Sequence, residues 1–259
     1  LALLCPLLSA CGTLHDRPLP NGRGWGEDAT LSPGLDRLRW AAGRAARDPG
    51  TWAPGLAALG IAVTGTDRRI SDWAREERPL FGSRDPDTIS DNLRNVTDLM
   101  MFTTALMTPS GPPDEFVENK GRGVGVEALA VVTTITVTNT LKYTVHREQP
   151  SGGHESFVSN HATEPFAHAA LIRRNTALLD LSPEAARAID GSAYVMATGS
   201  AWARVEMGLH YPSDQLAGAA IGNFIALFVH DAFLGLDPST PAVGLTPIPA
   251  PALVVQWRW

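Results

Sequence analysis

Three short blocks of the chain hold the residues best suited to chemistry: Lys142–Pro150, Ser156–Ala162 and Ala203–Asp214. Lys142 and Arg204 are cations that can hold phosphate oxygens, arginine in a two-pronged fork. His161 and His210 are imidazoles, able near neutral pH to serve as general acid and nucleophile. Asp214 lies four residues after His210. Pro212 is a natural first residue of a helix, which puts the carboxylate in the first turn and within reach of one imidazole nitrogen. Such a bond fixes the tautomer and makes the other nitrogen more basic. Ser159 can cap the next helix and offer its hydroxyl and backbone N–H groups to an anion. Together these residue types supply what phosphoryl transfer needs.

The elements that must position them read as helices. From Trp52 to about Leu236 the apolar segments have helical length: Ala53–Thr66, Ile89–Met107, Val124–Tyr143, Phe166–Leu179, Ala186–Ala203 and Pro212–Phe233. Gly, Pro or charged residues separate them, and no sustained alternation of period two appears, so the body is expected to be all-α. Ala128–Leu141 is rich in threonine, and Leu216–Val229 carries no charge; both read as buried core helices. Residues 12–50 read as a Gly/Pro-rich tether followed by a helical stretch at Leu35–Arg47. Residues 51–236 form the helical domain. Residues 237–259 form a Pro-rich arm whose Leu253, Val255, Trp257 and Trp259 would share one face of a short strand, read as a packing arm.

Composition narrows the function further. The chain has 259 residues, a net charge of −6 and no run of basic residues, so a general nucleic-acid partner is not expected. Mean hydropathy is −0.03, which excludes a chain made mostly of membrane spans. The two cysteines, Cys5 and Cys11, both fall in the first eleven residues, so the body can form no disulfide and no thiolate metal site. The opening apolar run is shorter than the ~20 residues of a bilayer span. Leu8-Ser9-Ala10-Cys11 resembles a bacterial lipobox, with residues 1–11 as the remnant of a signal peptide and Cys11 as the lipidated residue. Gly12 rather than Asp then implies an outer-membrane lipoprotein facing the periplasm of the bacterial envelope.

The three blocks together resemble the signature of the type 2 phosphatidic acid phosphatase superfamily, which includes bacterial acid phosphatases and vanadium haloperoxidases. That pattern is K-x6-R-P, then P-S-G-H, then S-R-x5-H-x3-D. Lys142 and Pro150 match the first block, Ser159 and His161 the second, and Arg204, His210 and Asp214 the third at the right spacing. The resemblance implies a bundle of about six helices with extended terminal arms. It implies metal-independent hydrolysis of a phosphomonoester or lipid (pyro)phosphate. His210 would attack phosphorus, Asp214 would orient His210, and His161 would protonate the leaving alcohol. Lys142, Arg204 and Ser159, with Gln149 and Asn160, would hold the phosphoryl oxygens. No cofactor is implied, vanadate belonging to the haloperoxidase branch alone.

The chain departs from the pattern in places. Gln149 stands where the family has Arg, and the lost charge-assisted contact is worth about 2–4 kcal/mol of transition-state binding. Val158 and Asn160 replace Pro and Gly, and Ala203 replaces Ser. These changes leave open a second reading, a degenerate member that binds phosphate or a partner without turnover. The helix after Ser159 also has two possible caps. With Ser159 as cap, Pro165 is the sixth helical residue and costs a hydrogen bond. With Thr163 as cap, Pro165 falls in the first turn. Asp91 and Asp98, seven apart, read as an exposed edge, and His168 as a packing or pocket residue.

Overall fold

The structure, a computed structural model, describes residue 19 and residues 22–235. The lipobox around Cys11 and the C-terminal arm at 237–259 lie outside the described residues. Eight helices are described: α1 Leu35–Arg47, α2 Pro49–Thr64, α3 Asp67–Glu77, α4 Pro86–Met107, α5 Pro113–Val145, α6 Asn160–Thr176, α7 Pro183–Glu206 and α8 Pro212–Leu234. No strand occurs among the described residues. Proline stands in the first turn of α2, α4, α5, α7 and α8. Its fixed φ suits that position, where its missing N–H has no helical partner to lose. Asp48, Asp85 and Ser182 cap three of these starts by accepting from Gly50, Asp87 and Ala185 N–H groups.

The six helices expected between Trp52 and Leu236 are present, five of them with earlier starts, while α1 and the start of α8 fall where expected. α3 was not expected. Its inward residues are Asp67, Ser71 and Ala74, so the one-face spacing is there but not in apolar residues. The body also begins before residue 51. α1 packs against α8, and Trp25 is fully buried over Gly123 of α5.

α6 and α8 form the centre. α6 contacts α4, α5, α7 and α8, while α8 contacts α1, α2, α5 and α6. Met101 of α4 and Val126 of α5 share one core cluster with Leu171 and Ile172 of α6 and Leu227 and Leu234 of α8. α8 is a core helix as expected, with 61% of its most apolar window buried. For α5 the figure is 28%, so only one face of it is core. That face is Gly123, Val126, Glu127, Ala130, Thr134 and Thr138. Its outward face carries Val132 and three threonines, Thr136, Thr140 and Thr144, whose hydroxyls donate back to the helix's own carbonyls.

The α6–α8 contact sets the position of the site. A Cβ on Gly222 would lie 2.1 Å from the carbonyl oxygen of Thr163, and one on Gly218 2.9 Å from the Cβ of Ala162. The two backbones approach this closely only because glycine stands at both positions. Gly222→Ala is expected to destabilise the fold by about 1–3 kcal/mol, read as a lower melting temperature. Gly191→Ala, where a Cβ meets nothing within 4 Å, should hold or raise stability.

Candidate active site

One end of the bundle collects the C-termini of α5 and α7 and the N-termini of α3, α4, α6 and α8. Contacts between elements define it: Asp67 with Ser213, Asp87 with Arg204, Asp91 with His161, and Arg147 with Asp214.

His210 sits in the short connection before α8 and is buried. Its Nδ1 lies 2.5 Å from the carbonyl oxygen of Ser156. A carbonyl can only accept, so Nδ1 carries the hydrogen and Nε2 keeps the lone pair of the neutral ring. Burial pushes the proton affinity of His210 down, to a pKa of about 3; the Ser156 carbonyl opposes this, and the charges of Lys142, Arg204 and His161 reinforce it. Three of the expected site residues therefore converge electrostatically on a fourth. Burial also lowers the pKa of Lys142, with Glu155 opposing and Arg204 adding to the effect.

Asp214 does not hold His210 directly, as the sequence led us to expect. Its carboxylate accepts from Ser156 Oγ at 2.5 Å, from Arg147 Nη1 at 2.5 Å and from the N–H of Tyr211 at 2.9 Å. Ser156 thus links the two: its hydroxyl binds Asp214 and its carbonyl binds His210. A backbone carbonyl has taken the place that the spacing reserved for the carboxylate. Arg147 bridges Asp214 to Asp67 of α3 at 2.7 Å and lies over the Tyr211 ring. It is committed to this network and does not replace the arginine missing at position 149.

Ser159 is the N-cap residue of α6, and Pro165 lies inside the helix. The Ser159 carbonyl accepts from the N–H groups of Ala162 and Thr163. Its hydroxyl makes no cap bond and is buried without a protein partner. Nε of Arg204 is in the same condition, while its Nη1 pairs with Asp87. Each of these two buried donors lacks a protein partner, and Ser159 stands at a helix N-terminus, so each could be satisfied by an oxyanion.

The side chains at the altered positions face elsewhere. Asn160 Nδ2 donates to Asn139 of α5 at 3.2 Å. The amide oxygen of Gln149 lies against Gly153. The Nδ2 donor of Asn160 is thereby engaged with α5. His161 Nε2 is 2.9 Å from Asp91 Oδ1 of α4. Burial first, and then Arg204, lowers the pKa of His161 to about 4; Asp91 opposes both. His168 packs two turns further along, with Nδ1 3.1 Å from Thr97 Oγ1. Asp87 and Asp91 are therefore part of the site. Asp91 reads as an exposed edge in the sequence because a carboxylate facing a histidine from another helix leaves no spacing signal. Among the described residues, no group of three or more His, Cys, Asp or Glu side chains is placed to hold a metal ion.

Arg147→Ala should leave the Asp214 carboxylate buried with its charge uncompensated. The expected loss is about 3 kcal/mol of stability, measured by denaturant unfolding.

A family model described as the PAP2 superfamily matches residues 124–236, which include Lys142, Ser159, His161, Arg204, His210 and Asp214. A solved structure, described as the first transmembrane PAP2-type phosphatidylglycerolphosphate phosphatase from Bacillus subtilis, is similar in fold. It aligns with a TM-score of 0.50 at 19% identity, over 67% of this chain and 89% of that one. No curated protein matches the sequence.

Proposed function

We propose, from the match of a PAP2 superfamily model to residues 124–236, that the chain hydrolyses a phosphomonoester or a lipid (pyro)phosphate through a phosphohistidine on His210. The convergence of Lys142, Arg204 and His161 on a neutral, carbonyl-anchored His210 carries this reading. The Nε2 lone pair of His210 forms a P–N bond as the P–O bond to the leaving group breaks. His161 gives its proton to the departing oxygen. Water then attacks phosphorus, its proton passes to His161, and the P–N bond breaks. Lys142, Arg204 Nε, the Ser159 hydroxyl and the first N–H groups of α6 take the phosphoryl oxygens and stabilise the transition-state charge. The scheme uses protein groups alone and is metal-independent.

The second reading, phosphate or partner binding without turnover, draws on three side chains already engaged. Asp87 occupies Arg204, Asn139 holds Asn160, and Gln149 folds onto Gly153. Phosphate release from a panel of soluble and lipid phosphates, with His210→Ala alongside, separates the two. Activity that vanishes in His210→Ala supports the enzyme. Equal traces from two folded proteins favour the binding reading.

The pH dependence follows from the two imidazoles. His210 must be neutral to attack, so kcat/KM rises through a pH of about 3. His161 must be protonated to donate, so kcat/KM falls above about 4. We expect kcat/KM to decline steadily between roughly pH 5 and pH 8. A bound phosphate anion favours both charged rings and moves the kcat profile upward.

The location of the substrate is read from the surface. The solved relative is described as transmembrane, and α5 and α8 are each long and apolar enough to cross a membrane. Other helices of the bundle carry charges mid-helix, among them Arg94 and Asp98 in α4 and Glu164 in α6. This favours a domain resting on a membrane rather than threaded through it. α2 has no charged residue and exposes Trp52, Leu56, Leu59 and Val63 at one-face spacing. Lipidation at Cys11 would hold this face at the periplasmic side of a bacterial outer membrane. Replacing Leu56 and Leu59 together by Glu should abolish vesicle cosedimentation of the unlipidated protein, while hydrolysis of a soluble phosphate stays unchanged.

A further inference from the structure

We propose that Asp91 is the positioning residue of the proton donor: its carboxylate takes the Nε2–H of His161, fixes the ring and leaves Nδ1 to exchange the reaction's proton. The proposal rests on the phosphatase reading for the reaction, but the pairing itself can be observed without turnover.

The geometry is specific. A carboxylate can only accept, so the 2.9 Å contact to Asp91 Oδ1 puts a hydrogen on Nε2. Asp91 is held in turn by Arg94, one turn along α4, at 3.4 Å. The same face of α4 sends Asp87 to Arg204 and Thr97 to His168. One helix therefore sets the orientation of both the cation and the acid of the site. His161 meets Asp91 and Arg94 from α4, Arg204 from α7 and His210 from the connection to α8. Lys142 ends α5 nearby, and Glu164 follows one turn along α6. Burial, Arg204 and Arg94 all disfavour a charged ring, and only Asp91 favours it. In the first step the Nδ1 proton passes to the leaving oxygen. In the second a proton from water returns to Nδ1. Asp91 stays ionised throughout and touches no reacting atom.

The test combines imidazole NMR titration of His161 in the full chain with the pH profile of phosphate release, for the wild type and Asp91→Asn. The titration midpoint of His161 should fall by about one unit or more in Asp91→Asn. The falling limb of kcat/KM should move to lower pH with it. kcat should drop roughly tenfold or more with KM nearly unchanged, and Asp91→Glu should recover much of the loss. Asp91→Ser replaces the Asn variant if circular dichroism shows that the latter fails to fold. An unchanged titration and an unchanged falling limb would overturn the proposal. If the wild type shows no turnover, the phosphatase reading fails, and the titration alone decides the pair: a lowered midpoint upholds it and an unchanged one overturns it.

Discussion

Asp214 lies in the first turn of α8 with its carboxylate out of contact with water. A buried carboxylate is tolerable only where hydrogen bonds and an opposite charge replace its hydration. Here the replacements come from three parts of the chain: Arg147 after α5, Ser156 before α6, and the N–H of Tyr211 at the head of α8 itself. Arg147 carries the constraint on to Asp67 at the start of α3, which also binds the backbone N–H of Ser213. Three segments distant in sequence, the start of α3, the connection between α5 and α6 and the head of α8, are thus pinned at one end of the bundle. The ring of His210 is fixed as a consequence, because the same Ser156 that donates to Asp214 offers its carbonyl to Nδ1.

From that pin the electrostatics of the site follow. The central helices α6 and α8 meet closely at Gly218 and Gly222, and His210, in the connection before α8, is buried. Both imidazoles are therefore held neutral, by burial before anything else. In the proposed reaction, neutrality suits the ring that attacks and hinders the ring that donates. The structure treats the two differently at their second nitrogens. His210 is given a neutral carbonyl, which fixes the tautomer without adding charge. His161 is given a carboxylate, which supports a proton.

Much of this was legible in the residues. Leu35 and Pro212 were read as helix starts and are, five other starts were placed late, and the spacing from Arg204 through His210 to Asp214 marked the candidate site. What stayed hidden has physical causes. α3 turns Asp67, Ser71 and Ala74 inward, so apolar periodicity could not reveal it. The partner of His210 is a backbone carbonyl, which no side-chain pattern encodes. Arg147 stands two residues from the altered Gln149, and only the path of the loop decides that it reaches Asp67 and Asp214 instead of a phosphate. Asp91 reads as solvated because half of it is, its other half being turned to a histidine on a different helix.

The central claim is that His210 carries the phosphoryl group. The most direct measurement is rapid acid-free quenching of the protein during turnover of a radiolabelled phosphate ester, followed by peptide mapping. The account predicts label on the peptide containing His210, stable to alkali, lost in acid and absent from His210→Ala. Label on another residue, or hydrolysis by the wild type with inversion at a chiral phosphorus and no labelled peptide, would contradict it.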